Sequence, residues 1–136
     1  MIVKLKKKNH GYWDLTFGQP YVVIGIEADD LRVLNDAGRP FLYPRDLFSL
    51  VDAQEPIDWL TQFGEDGERY SYPPPLNKVG FFEDFFEEKR KAVVTFRRVV
   101  NRRLAASQRR VASPRRPTRC CKTTNVSKNL FGRLIF

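Results

Sequence analysis

Residue types that most often carry chemistry are sparse in this chain. His10 is its single histidine, so neither a Ser-His-Asp arrangement nor a histidine-rich metal site finds its partners, and a solvated loop position is expected for it. No serine, cysteine or lysine stands in a nucleophile motif, and there is no glycine-rich phosphate loop. Carboxylates are what remains, as Asp29-Asp30 and as Glu65, Asp66 and Glu68. Acid/base work by such groups requires them to share one pocket. Both clusters instead fall in turn-like stretches, where acids are favoured because they stay solvated and accept hydrogen bonds from nearby backbone. The twelve-residue calcium-loop pattern is missing as well. The chain reads as non-enzymatic, with no cofactor and no metal.

Binding chemistry is better supplied. Tyr12, Trp13, Phe17, Tyr43, Trp59, Tyr70 and Tyr72 are more aromatic area than one small domain buries easily. A core role competes for each, since a domain of this size needs every apolar side chain it can cover. Those left outside would stand among 16 Asp and Glu residues. An acidic, aromatic surface suits a basic protein partner, because complementary charge steers encounter and aromatic anchors supply affinity. The residues expected to make such contacts are Trp13, Asp29, Asp30, Tyr43, Trp59, Glu65, Asp66, Tyr70 and Tyr72.

The net charge of +8 over 136 residues describes neither half of the chain. Residues 1–88 hold 9 Lys and Arg with all 16 acids, a net −7; residues 89–136 hold 15 with no acid, a net +15. This is the pattern of an acidic folded body with a basic extension. The alternative function is therefore nucleic-acid binding through residues 89–136, with Arg102, Arg103, Arg109, Arg110, Arg115 and Arg116 neutralising phosphates. Against it, the segment lacks a stacking platform and a groove-reading motif. Its composition would equally suit an extension produced by a shifted reading frame or a fused segment. Cys120 and Cys121 are adjacent, which suits neither a disulfide framework nor a two-by-two metal site.

The N-terminal "MIVKLKKKNH" has no apolar run behind its positive charge. The longest apolar stretch, residues 21–26, is far short of the roughly twenty needed to span a bilayer. No membrane association is expected, and a cytoplasmic setting is.

The elements that must position these groups come in four pieces. Residues 2–6 alternate, with Val3 and Leu5 on one face. Residues 21–52 are short β-type runs separated by turn signals at 28–30 and at "NDAGRP", where Gly38 is the candidate for positive φ. Such a meander must curl to bury its apolar face, and a small barrel is the economical result. Residues 55–75 read as an added hairpin, turning at 65–68, with "PPP" at 73–75 forcing an extended segment. Residues 80–106 read as one amphipathic helix, with Phe82, Phe85, Phe86, Val93, Phe96, Val100 and Leu104 on its apolar face and a Glu87–Lys91 pair. Ser113-Pro114 opposes further helix. The class is α+β: one acidic domain over 1–106 (barrel 1–52, hairpin 55–75, helix 80–106), followed by a basic, disordered tail at 107–136.

The succession "GYWDLTFGQP", "YVVIGIE", "LRVLNDAGRPFLYPRDLFSLVD" resembles the Src-homology-3-like barrels of small uncharacterised bacterial proteins, over about residues 3–52. The resemblance implies a fold. Some proteins of that general look are immunity or toxin-neutralising proteins, which suggests a neutralising or immunity-type partner of a basic effector. Proline-peptide binding is not implied, because the aromatic and proline motifs of that groove have no residue-by-residue match here.

Overall fold

The computed structural model describes residues 1–112. Its fold is α+β: a seven-stranded antiparallel sheet with a helical layer supplied by the C-terminal part of the described chain. The strands are β1 (Ile2–Leu5), β2 (Tyr21–Glu27), β3 (Asp30–Leu34), β4 (Pro40–Pro44), β5 (Phe48–Asp52), β6 (Leu60–Phe63) and β7 (Arg69–Tyr72). A 3-10 turn, Arg45–Leu47, leads into β5.

The sheet order is β4-β3-β2-β1-β5, and β7 pairs with both β2 and β6. β2 serves two neighbours on one side: its start pairs with β1 (Ile2 opposite Val22) and its end with β7 (Glu27 opposite Tyr70). The sheet is not closed, since no pairing joins β4 to β5 among the described residues. Short β-branched runs broken by turn residues explain the strands. The expected β-type segments, the turn at Gly38 (φ 71°) and the burial of Val3 and Leu5 are all present.

A bulge in β2 divides the interior. Val23 is opposite Val33 and Gly25 is opposite Arg32, so Ile24 is the extra residue. Val23 and Ile26 face a first core with Val3, Leu5, Leu15, Tyr21, Leu31, Val33, Tyr43, Phe48 and Trp59. Ile24 faces a second core with Tyr72, Leu76, Phe81, Ala92, Phe96 and Val100. At about 25 cal/mol per Å² of apolar area, each fully covered large side chain contributes about 1.5–3 kcal/mol. Two cores on opposite sides of β2 and β3 thus fix the sheet between loop and helices.

Four expectations are corrected here. The single helix over 80–106 is two, α1 (Phe81–Phe86) and α2 (Arg90–Ala112), so helix also replaces the first part of the tail expected from 107. The break is at Glu88, whose φ of 58° is left-handed. Lys89 fastens it, donating to Asp84 at 2.6 Å and to Glu87 at 2.9 Å in place of the expected Glu87–Lys91 pair. These carboxylates hold its ammonium above the usual lysine range. Across the elbow, Phe81 of α1 and Phe96 of α2 enter the same core. Residues 74–76 form a 3-10 turn rather than continuing extended. Proline's fixed φ suits a helical first turn, where its missing N–H would be unused, and Leu76 N donates to Pro73 O at 2.9 Å.

Candidate functional site

The loop between β1 and β2, residues 6–20, is pinned onto the β3–β4 turn by buried polar groups. Asp14 is buried, and its Oδ2 accepts from Tyr43 OH at 2.5 Å and Asn35 Nδ2 at 3.0 Å. Asn35 Oδ1 in turn accepts from the backbone N–H of Ala37 and Arg39. Thr16 Oγ1 and Tyr21 OH each donate to Asp36, at 2.7 and 2.6 Å, and the Asp36 N–H donates to Asp14 O at 3.0 Å. Burial and the Asp14 carboxylate push the Tyr43 phenol well above its ordinary range; burial and Asp36 do the same, less strongly, to Tyr21. A buried carboxylate accepting two side-chain hydrogen bonds is satisfied, so this network holds shape and is not a source of reactive groups.

Trp13 sits inside this pinned segment and is 89 % exposed. Tyr12 before it packs edge-on against Tyr43 with ring centroids 5.4 Å apart, and Asp14 after it is the buried hub. His10 stacks on Tyr12 and accepts its N–H, so the one histidine props the loop. Phe17 on the same loop is half exposed. A fixed backbone therefore presents a large aromatic side chain to solvent.

The other expected contact residues divide. Tyr43, Trp59 and Tyr72 are buried in the two cores and offer no contact surface; their surface role is corrected. Trp59 Nε1 finds no hydrogen-bond partner among the described residues. Asp29, Glu65 and Asp66 are exposed; Asp30 and Tyr70 are half-buried. Register brings the two acidic turns to one end of the sheet, since Ala28 N, just before Asp29, donates to Arg69 O, just after Glu68, at 2.8 Å. Glu68 folds back and accepts from Asp66 N, a turn-closing role. None of the clefts described below is lined by these acids. Among the described residues no group of three or more His, Cys, Asp or Glu is placed to hold a metal ion.

A second polar cluster, like the Asp14 network, was missed from the sequence. Arg32, on β3 and buried, donates from Nε to Tyr72 OH at 2.7 Å, from one terminal nitrogen to Pro40 O at 2.9 Å and from the other to Glu27 at 2.9 Å. Tyr72 OH also donates to Glu27. Arg32 lies over the Phe82 ring, 3.8 Å from its centroid, a cation–π contact. The group borders a cleft of about 290 Å³ with Gln62, Tyr70 and Lys78. The available signal was Arg32 itself, a charge between Leu31 and Val33 in an apolar run, which must have a partner if the strand is covered on both faces. Its charge is already matched by Glu27, so it ties β2, β3, β7 and α1 together.

Basic residues line α2. Arg90, Arg97, Arg98, Arg102 and Arg109 are exposed, whereas Arg103 is paired with Asp58 at 2.5 Å. Arg110 falls within α2; Arg115, Arg116, Cys120 and Cys121 lie outside the described residues. No described helix is long and apolar enough to cross a membrane. No family model, curated protein or solved structure matches the chain.

Proposed function

We propose that this is a non-enzymatic protein-recognition module in which the 6–20 loop presents Trp13 as the anchor for a partner protein. The observation that carries the reading is Trp13's 89 % exposure between two immobilised neighbours. An aromatic side chain on a fixed backbone has only two χ angles to order on docking, and such residues dominate binding energy at interfaces. The exposed acids Asp29, Glu65 and Asp66, at the end of β3 opposite the turn that holds the Trp13 loop, would steer encounter with a basic partner, the chemistry that an immunity-type or neutralising protein would meet in a basic effector. The Src-homology-3-like reading of residues 1–52 is supported by the pairing of β1 with β5, which brings the first and last strands of that segment together, although no β4–β5 pairing closes the sheet among the described residues.

The test compares wild type with Trp13→Ala in capture from the native host. A partner retained by wild type and lost with Trp13→Ala, at an unchanged unfolding midpoint, is expected. Equal retention by both proteins refutes Trp13 as anchor.

A second reading, nucleic-acid binding through residues 89–136, is favoured by the exposed arginines along α2. It requires DNA or RNA affinity that falls steeply with salt and is lost when the exposed Arg98, Arg102 and Arg109 are replaced by Glu; salt-insensitive or absent binding excludes it.

A further inference from the structure

Three arginines surround an apolar floor on the face where the helical elbow meets the β3–β4 turn. The groove has a volume of about 600 Å³, within the range of roughly 300–1,000 Å³ typical of ligand pockets. Arg39 comes from the β3–β4 turn, and Arg90 and Arg97 stand two helical turns apart on α2. All three are exposed, and none makes an ion pair or side-chain hydrogen bond among the described residues. By contrast Arg32, Arg69 and Arg103 are each bound to a carboxylate. The floor is Phe85, Phe86 and Val94, with Phe86 and Val94 partly open to solvent. Glu88 is the one acid at the rim, and it too is unpaired.

Phe85 and Phe86 meet edge to face, at 80°, and Phe85 also packs on Phe96 at 4.5 Å. Phe86 itself stacks on Phe41, with ring centroids 5.6 Å apart at 21°, so one of its faces is already occupied and successive bases find no row of open ring faces. The floor does offer an apolar hollow with cations at three points of its edge. We infer that this groove is a docking site for an acidic peptide segment, one apolar side chain seated on Phe86 and Val94 and flanking Asp or Glu carboxylates held by Arg39, Arg90 and Arg97. Charge complementarity names the occupant: guanidinium forks bind carboxylates in paired geometry, and the apolar floor seats the side chain between them. Trp13 is not among the groove's lining residues, although its loop and Arg39 share the β3–β4 turn, and the groove's charge preference is the opposite one.

The probe is a fluorescent synthetic peptide with a central Phe flanked on both sides by Glu and Asp, read by anisotropy against the full chain. Arg97→Glu combined with Arg39→Glu is expected to weaken binding by at least roughly tenfold, as for loss of close charge pairs. Arg98→Glu combined with Arg102→Glu makes the same charge change on exposed arginines outside the groove and is expected to leave affinity within about twofold. Val94→Ser, at a partly exposed position that folding tolerates, and replacement of the peptide's Phe by Ala are each expected to weaken binding. Trp13→Ala is expected to leave it unchanged, which keeps failure here separate from failure of the anchor reading. Equal losses from the two arginine pairs would show diffuse attraction to the basic helix and overturn the proposal. So would indifference to the peptide's Phe, or equal displacement by a second copy of the chain or by a single-stranded oligonucleotide that binds the Arg39/Arg97 variant as well as wild type.

Discussion

Gly25→Ala tests the packing on which the second core depends. A β-carbon at this position would lie 2.1 Å from Cε1 and 2.3 Å from Cδ1 of Tyr72. Non-bonded carbons rest about 3.5–4.0 Å apart, so the ring would have to retreat by about 1.5 Å. It has little freedom to do so. Its hydroxyl is bonded to Arg32 Nε at 2.7 Å and to Glu27, and Phe82 stands against it with ring centroids 5.3 Å apart. Overpacking of a filled site costs about 1–3 kcal/mol, and each hydrogen bond to a charged group that is pulled out of line costs up to about 1.5–3 kcal/mol. Against this, replacing glycine by alanine stiffens the unfolded chain and returns about 0.4–1 kcal/mol. The clash wins, and the expected net loss is about 3 kcal/mol. Urea unfolding of Gly25→Ala, Tyr72→Leu and the double variant measures it. The double variant should be less destabilised than the sum of the singles, because the atoms that collide are gone. A Gly25→Ala protein within about 0.5 kcal/mol of wild type, or simple additivity in the cycle, would refute the account.

Two further predictions concern backbone and protons. Burial, foremost, raises the phenols of Tyr43 and Tyr72 above their ordinary range, with Asp14 and Glu27 adding to it and Arg32 opposing at Tyr72. The native state therefore keeps protons that the unfolded chain releases from about pH 10 upward, so stability is full below that pH and falls as pH rises toward the folded values. Urea midpoints measured from neutral to strongly alkaline pH should show this fall, with a shallower slope in Tyr43→Phe; an unchanged slope would count against Tyr43 as a source. Ala28 has a φ of 51° in the β2–β3 turn, a left-handed conformation costing a non-glycine residue about 1 kcal/mol. Ala28→Gly should raise the thermal midpoint, and a lowered midpoint would mean that the methyl packs favourably enough to outweigh the strain.

The local elements were legible because their causes are local. β-branched runs, Asp and Gly in turns, and the phenylalanine spacing of residues 81–96 each act within a few positions. The elbow at Glu88 showed only as a break in apolar spacing near Lys89, since an α-helical reading has no place for a left-handed residue. Tyr43 was nominated for a surface, although its alternation with Leu42 put it on the same side as Phe41; Leu42 is the residue that faces solvent. The polar hubs were illegible. Asp14 meets Tyr43 across 29 positions and Arg32 meets Tyr72 across 40, and a single sequence carries no sign of pairings that only topology creates. Trp13's exposure was one of two open readings until Tyr12 and Asp14 were seen anchored on either side.

The division of the interior by β2 also orders events in time. Every buried member of the first core lies between Val3 and Trp59, whereas the second core waits for residues from Tyr72 to Val100. A nascent chain emerges N-terminus first, so the first core can close on the ribosome while Ile24 and the other side of β2 still face solvent. Until α2 is released, that uncovered strand is an apolar surface of the growing chain. The order of synthesis thus supplies all the anchoring partners of the 6–20 loop, from Asp14 to Tyr43, before the residues of the helices.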